Sequence, residues 1–344
     1  MKIFILISFL AFGLSQDYPS LGSDNSLDFA TWNIEWFPKN GQNTVNYVID
    51  IVEQLDLDII AIQELNDTMM FDQMLDGLPD YTGYYESSWF AGLAYIYKAD
   101  VIDVNNIYEI YTTSPYWSAF PRSPMVMDVD FMGKNYIFIN NHFKCCGDGS
   151  LNSNNDSDEE MRRFIASNLL KEYIDNNFSN KNVIVLGDLN DDIAESSLNN
   201  VFQTILDDSE NYRFVDMDIA DGSSSNWSFP TWPSHLDHIL ITNELFDELD
   251  NSEVQTIKLD QYLDGGWSEY DTNISDHRPV FMKLVNSFIQ GDVNQDDVVN
   301  ILDVVIIVQI IIGNEDSISI ADFNQDGLIN VIDIVQLVGV LINN

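Results

Sequence analysis

The sequence predicts a layered α/β domain over residues 16–286 followed by a small helical domain over residues 287–344. Three observations carry this prediction. Apolar stretches alternate between strand-like and helix-like periods from residue 27 to about 285, a pattern that builds sheets covered by helices. Ser157 and Glu160 make the spacing of a capping box ahead of a helical stripe. Beyond Gly291 the composition changes and an internal repeat begins. With 344 residues, 45% hydrophobic and 12% aromatic, the chain can bury a large core as well as a second module.

Taken in order, the chain opens with Lys2 and an apolar run from Ile3 to Leu14, closed by Gly13-Leu14-Ser15, small residues at the spacing a signal peptidase reads. Residues 1–15 therefore read as a cleaved export signal, and the mature protein as soluble and secreted. The run is too short to span a bilayer, and the later apolar runs are cut by Asp303, Glu315, Asp316 and Asp333. Strands are expected at Leu27–Phe37, Leu57–Gln63, Leu93–Tyr97, Met125–Phe131, Tyr136–Asn141, Val183–Leu186, Leu236–Ile241 and Val280–Leu284. Val45, Val48, Val52 and Leu55 fall at helical spacing, as do Met161, Ile165 and Leu169. Between the two, Gly147–Asp156 reads as a long loop.

Charge and cysteine content narrow the function. There are 56 acidic and 14 basic residues, a net charge of −42; without residues 289–344 and Lys2, 47 acids still face 13 bases, or −34. Such a surface repels polyanions at long range, which argues against tight sequence-independent binding of nucleic acid by electrostatics alone. Cys145 and Cys146 are the sole cysteines, and each has only its neighbour as an intramolecular partner. They either close a strained vicinal ring or remain free thiols.

The repeat runs from Gly291 to Asp303 and again from Ala321 to Asp333. Each copy sets oxygen-bearing side chains at loop positions 1, 3, 5, 9 and 12: Asp292, Asn294, Asp296, Asn300 and Asp303, then Asp322, Asn324, Asp326, Asn330 and Asp333. Val298 and Leu328, at position 7, can ligate only through their carbonyls. That spacing wraps six or more hard oxygens around one calcium ion, so two calcium ions are expected. Each loop leads into a helix and ends on Asp where an EF-hand has Glu. This duplicated loop-helix pattern resembles the type I dockerin module, which implies a calcium-folded domain that docks on a cohesin-type or cell-surface partner. The helix starts, Ile301-Leu302 and Val331-Ile332, are apolar where familiar dockerins carry small hydroxyl residues. Packing of these helices against the protein itself is the alternative.

Six short clusters carry the chemistry of the larger domain. They are Trp32-Asn33-Ile34-Glu35, Ile62-Gln63-Glu64, Asn140-Asn141-His142, Gly187-Asp188-Leu189-Asn190, Leu236-Asp237-His238 and Ser275-Asp276-His277-Arg278-Pro279. Most lie at the end of an apolar strand, where side chains emerge at one rim. Phosphoester hydrolysis with a hard cation needs carboxylates for the ion, a group to activate water, and donors for the developing charge. In this order the clusters resemble the DNase-I-like superfamily of endonucleases, exonucleases and phosphatases.

The resemblance implies a four-layer α/β sandwich, two mixed sheets with helices outside, and a metal-dependent nuclease using Mg2+, Mn2+ or Ca2+, which the export signal makes a secreted one. It makes Glu64 the principal metal ligand, with Asp276 and Glu35 near the ion and Asn33 beside them. Asp188 would activate the water and Asn190 hold a phosphate oxygen. His277, paired to Asp237, would stabilise developing charge, and His142 would serve the leaving oxygen. Lys144 and Arg122 are expected to contact substrate, because basic residues are scarce. Arg162 and Arg163 read as substrate contacts or as a solvated helix face. His238 follows Asp237 on a strand and so faces away from it, which predicts a structural role; His235 is left open. The alternatives to a nuclease are a phosphatase or sphingomyelinase-like lipid phosphodiesterase, for which Trp89-Phe90 and Trp117 could supply exposed aromatics, and a scaffold or adhesion component with vestigial catalysis.

Overall fold

The structure is a computed structural model that describes residues 17–86, 92–285, 291–294, 298–313, 319–324 and 327–343. The expected export signal, Trp89-Phe90, Asp296 and Asp326 lie outside the described residues.

The elements run β1 (Ser26–Phe37), α1 (Gln42–Leu55), β2 (Ile59–Leu65), α2 (Thr68–Leu75), β3 (Tyr81–Tyr84), β4 (Gly92–Lys98), β5 (Asp103–Glu109), β6 (Met125–Phe131), β7 (Lys134–His142) and α3 (Glu159–Asn177). They continue as β8 (Asn182–Asp188), α4 (Gln203–Leu206), β9 (Tyr212–Phe214), α5 (Met217–Ala220), β10 (Asp237–Thr242), β11 (Glu253–Thr256), α6 (Gly266–Asn273) and β12 (Val280–Val285), then α7 (Ile301–Ile311) and α8 (Val331–Asn343). Two six-stranded sheets result, ordered β11-β12-β1-β2-β4-β3 and β5-β6-β7-β8-β10-β9. Each sheet has one parallel pair at its centre, β1 with β2 and β7 with β8. Parallel neighbours need a crossover, and α1 and α3 supply it.

Period-2 alternation divides each central strand between two cores. In β1, Leu27 and Phe29 join the layer between the sheets, whereas Ala30 and Trp32 face α1. Phe29 meets Phe138 of the opposite sheet edge to face, with centroids 5.1 Å apart. Ala166, Leu170 and Ile174 of α3 cover the outer face of the second sheet. The result is helix, sheet, sheet, helix, the layered α/β domain the periodicity predicts and the four-layer sandwich the resemblance implies.

All eight expected strands are present. The four that periodicity did not signal, β3, β5, β9 and β11, are the four edge strands. Edge strands are short and polar because one side meets solvent, and so their alternation is weak.

Three further expectations are corrected. The cap of α3 is Asp158, whose Oδ1 accepts from Met161 N at 2.9 Å, not Ser157. The fully buried face of α3 carries Glu160, Arg163, Ala166, Ser167, Leu170 and Ile174, while Met161, Ile165 and Leu169 are only half-buried. Arg163 is not solvated: it is 2% exposed and pairs with Asp191 at 2.7 Å. Apolar spacing misplaced the helix phase because an ion pair, which carries no hydrophobic signal, occupies part of the inner face.

The C-terminal segment has its own core of Val293, Val304, Ile307, Ala321 and Leu337. Its two loops are stapled alike by their last residue. Asp303 accepts from Val293 N, Asn294 N and Asn300 N at 2.7, 3.0 and 2.7 Å; Asp333 accepts from Asn324 N and Asn330 N at 3.1 and 2.8 Å. Asn300 Oδ1 caps α7 through Leu302 N at 2.8 Å, and Asn330 Oδ1 meets Ile332 N at 2.9 Å in the same way. Among the described residues no helix is long and apolar enough to cross a membrane.

Candidate active site

The parallel pairs end at a common rim, and their carboxyl ends supply the side chains. Asn33 stands opposite Gln63 in register, and His142 opposite Asp188, which in turn pairs with Asp237. Ligands in α/β sheets gather at such carboxyl ends. Backbone irregularity then aims the groups. Register shifts fall between Asn33 and Phe37 and between Gln63 and Leu65. A bulge of this kind turns a side chain out of strict alternation. Among the described residues, eight non-glycine residues have positive φ, and five of them, Glu35, Trp36, Glu64, Cys146 and Asn190, line one cleft of about 670 Å³. Left-handed backbone costs on the order of 1–3 kcal/mol per residue and persists where the surroundings impose it. Gly187 serves the same end: a Cβ there would lie 2.0 Å from the Asn141 carbonyl, so only glycine lets β8 carry Asp188 past β7.

Asn33 joins the two sheets. Its Nδ2 donates to Asp188 Oδ2 at 2.9 Å and to Glu64 Oε1 at 3.2 Å, while its Oδ1 accepts from Glu35 N at 2.9 Å. Glu64 Oε2 accepts from Trp36 N at 3.0 Å, and Asp188 Oδ1 from Asn190 N at 3.1 Å. His277 Nδ1 lies 2.7 Å from Asp237 Oδ2, and its Nε2 lies 3.9 Å from both Asp188 and Asp276. Burial works against charge on His277, but Asp237, Asp188 and Asp276 outweigh it and push its pKa up to about 10, so it is an imidazolium. Burial raises Asp188 and Asp276 in spite of His277. A bound cation would draw both back to the ionised form.

His142 is the opposite case. Its Nε2 lies 3.5 Å from Asp188 and 3.8 Å from Glu64, yet burial, with Arg122 and His277 adding, holds it well below the usual range. His142 is therefore neutral, and its Nδ1 is buried without a hydrogen-bond partner. Glu35 is engaged by Lys39 and by Asp276 N at 2.8 Å. Lys144 does not line the cleft; its ammonium donates to the carbonyl of Cys145, which does, at 2.8 Å. Arg122 is half-buried on the wall of another cavity, of about 480 Å³, with Trp117, and its charge reaches Glu64 and Asp188.

The cleft thus gathers Glu64, Asp276, Glu35, Asp188, Asn190, His142 and His277. Its carboxylates are hard oxygen donors, the chemistry that Mg2+, Mn2+ or Ca2+ requires. Among the described residues, the acid and histidine triads within mutual ligand distance are Asp188-Asp237-His277 in the cleft and Asp216-His235-His238 behind it. The second triad is fully hydrogen-bonded. Asp216 Oδ2 accepts from His235 Nε2 and His238 Nδ1 at 3.0 and 2.6 Å, and His238 Nε2 donates to the Asp191 carbonyl at 2.8 Å. Since both His238 nitrogens face acceptors, His238 is an imidazolium locked to Asp216, which is the structural role its place on the strand predicts.

Comparison with known proteins agrees with this geometry. The Endonuclease/Exonuclease/phosphatase family matches residues 30–277. The chain belongs to this family. The type I dockerin domain matches residues 290–341. No curated protein matches the chain. Solved structures of the Endonuclease/Exonuclease/phosphatase fold superpose on it. D. rerio TDP2 complexed with a single-strand DNA product shares 13% identity over 76% of this chain and 99% of its own, with a TM-score of 0.57. The human Nocturnin catalytic domain with bound sulfate shares 14% over 75% and 94%, with a TM-score of 0.54. The Bacteroides thetaiotaomicron mannosyl-6-phosphatase shares 17% over 76% and 100%, with a TM-score of 0.51. At such identities the likeness is one of fold. As a family member the chain is a phosphoester hydrolase, and its dockerin indicates an extracellular or cell-surface setting.

In this Endonuclease/Exonuclease/phosphatase domain, several neighbours of the site were not foreseen. Phe229 packs on the His277 ring with centroids 4.8 Å apart, and Trp36 and Trp232 line the same cleft, 45% and 78% exposed. Ser275 Oγ ties the last cluster to β1 by donating to the Asn33 carbonyl at 2.6 Å. An exposed tryptophan in the Pro-Thr-Trp-Pro turn was the available signal for Trp232; nothing local marks Asp216.

Proposed function

We propose that this chain is an exported, divalent-cation-dependent nuclease that cleaves phosphodiester bonds by in-line attack of water. The observation that carries the reading is one cleft in which Glu64, Asp188, His142 and His277 converge from both sheets, with buried Asn33 bridging Glu64 and Asp188, and in which Trp36, Phe229 and Trp232 share the lining. The polar groups suit a phosphoester, and aromatic faces beside them suit stacked bases. TDP2, one of the fold neighbours, was captured with single-strand DNA, which agrees with this choice.

Glu64, Asp276 and Glu35 are the oxygen set for the cation, which when bound polarises the phosphoryl oxygens. Glu35 is the weakest member, because Lys39 and Asp276 N already hold it. Asp188 orients and deprotonates the water, its oxygens fixed by Asn33 and Asn190 N. Asn190 holds a phosphate oxygen through its carboxamide. His277, kept charged by Asp237, neutralises the charge that develops on the phosphoryl group. His142, being neutral, donates one hydrogen bond from Nε2 toward the leaving oxygen. Lys144 and Arg122 supply positive potential beside the cleft, where the acidic surface otherwise opposes an anionic substrate.

A phosphatase acting on small sugar phosphates is the second reading, favoured by the net charge of −42, which penalises polyanions most. A panel of single-stranded DNA, duplex DNA, RNA, sphingomyelin and hexose phosphates, each with magnesium and with calcium, separates the two. Cleavage of nucleic acid is expected; turnover confined to monoesters would overturn the nuclease.

The C-terminal loops bind two calcium ions through Asp292, Asn294, Asp296, the Val298 carbonyl, Asn300 and Asp303, and through Asp322, Asn324, Asp326, the Leu328 carbonyl, Asn330 and Asp333. A cohesin-type or cell-surface protein docks on the helix starts. What supports the docking is that Ile301, Leu302, Val331 and Ile332 are 63, 55, 61 and 53% exposed. Residues 1–15 act as the export signal, residues 16–286 as the catalytic domain, and residues 287–344 as the docking module.

A further inference from the structure

The cysteine pair belongs to the cleft. Cys145 and Cys146 follow His142 by a few residues, and both line the cavity that holds Glu64, Asp188 and His277. Their sulfurs lie 2.9 Å apart, closer than an ordinary thiol contact, with Cys146 in left-handed backbone at φ 70°. Cys145 is half-buried and Cys146 exposed, so a small reagent can reach the pair. The backbone around them is gripped from below. Buried Arg163 donates through Nη1 to the Lys144 and Cys146 carbonyls at 2.8 and 2.6 Å, and through Nε to Asp191 at 2.7 Å. Lys144 Nζ lies 3.7 Å from Cys145 Sγ. On balance the Cys146 thiol is pushed up, by the contact with Cys145 and by burial, against a smaller downward pull from Lys144 and Arg163.

We propose that Cys145 and Cys146 are a reversible thiol–disulfide site on the rim of the catalytic cleft, with low-molecular-weight disulfides as oxidant, and that closing the ring lowers turnover. The second clause rests on the hydrolase reading; the first does not. Cys146, the exposed member of the pair, loses its proton and attacks a disulfide RSSR, forming a mixed disulfide and releasing RS−. Cys145 then attacks the Cys146 sulfur, displacing the second RS− and closing the ring. Each cysteine gives up one proton and one electron, and RSSR takes them to become two RSH.

Ring closure strains this backbone. Adjacent Cα atoms across a trans peptide are about 3.8 Å apart, whereas disulfides prefer about 4.4–6.8 Å. The carbonyls held by Arg163 must therefore shift, and Arg163 carries the shift to Asp191, one residue from Asn190 and three from Asp188. The same strain makes the ring easy to reduce, which suits a switch and not a permanent crosslink.

The test is to equilibrate the full-length protein in glutathione buffers of graded oxidation, trap thiols by alkylation, and read intact mass alongside hydrolysis of the best substrate in the panel. Two alkylated thiols are expected under reduction and none under oxidation, with the oxidised chain two hydrogens lighter and carrying no glutathione. Turnover is expected to fall at least threefold on oxidation and to recover with dithiothreitol. Cys145→Ser should trap a stable glutathione adduct on Cys146, and the double variant Cys145→Ser/Cys146→Ser should keep the reduced rate in every buffer. Two thiols that stay alkylatable throughout, or a glutathione adduct that persists on the unsubstituted protein, would overturn the site. A ring that closes with turnover unchanged would overturn the coupling. Absence of any turnover in either state would count against the hydrolase reading, and the mass measurement would still decide whether the ring forms.

Discussion

Asn33 on β1 and Asp188 on β8 meet across the two sheets, with the carboxamide donating to the carboxylate at 2.9 Å and to Glu64 at 3.2 Å. One neutral side chain thus spaces two acids that would otherwise repel, and does so without neutralising either. Asn33→Ala should leave the fold intact and lower kcat by roughly a hundredfold, because it frees the group assigned to water activation. Asn33→Asp should be worse, since a third carboxylate would face Asp188 and Glu64. Steady-state kinetics with circular dichroism as a folding control checks both; an Asp variant more active than the Ala variant would contradict the argument.

Chelation should abolish hydrolysis, and magnesium should restore it. Glu64→Gln should raise the magnesium concentration needed for half-maximal rate. Asp188→Asn and His277→Ala should lower the maximal rate by on the order of a hundredfold at unchanged magnesium dependence. The separation of the two effects is the measurement that matters, because a shift in metal dependence for all three would merge roles kept distinct here.

His238 and Asp216 predict how stability responds to pH. Burial opposes both charges, yet each holds the other: Asp216 is lowered and His238 raised. The histidine's contribution is full below its unfolded pKa of about 6.5 and is lost as pH rises through its higher folded value. The aspartate's contribution is full above about 3.9 and is lost as pH falls through its lower folded value. Chemical denaturation at a series of pH values should therefore find this pair most stabilising between about pH 4 and 6.5. Asp216→Ala should destabilise the domain by about 3–5 kcal/mol, the cost of leaving a buried imidazolium unpaired. A wild-type and variant difference that does not vary with pH would refute the charged pair.

The C-terminal domain should bind two calcium ions and melt at higher temperature in calcium than in chelator, since a ligand of the folded form stabilises it. Asp303→Ala and Asp333→Ala should each remove one site, and also three or two backbone hydrogen bonds. A chain ending at Asn286 should retain hydrolysis with magnesium, because each residue assigned to chemistry precedes that point. Calorimetry and turnover of the shortened chain check the two halves of this prediction independently.

The sequence by itself determined the central strands, the six clusters at their ends and the paired loops, because all of these are local. A strand buried on both faces is written in consecutive apolar residues, and a loop around one ion is written in ligands a few positions apart. Tertiary structure alone decided what these pieces meet. Asn33 and Asp188 are 155 positions apart, and their contact depends on two sheets packing face to face. The left-handed backbone at Glu35, Trp36 and Glu64 falls within register shifts between paired strands, which no single strand encodes, and that at Asn190 in the turn just beyond β8. Arg163 reads as surface in a helix of low apolar content and becomes buried because Asp191 and two carbonyls of the cysteine loop wait beneath it. Periodicity reports where apolar area goes; ion pairs and bulges satisfy charge and backbone across the chain, and only the folded neighbours reveal them.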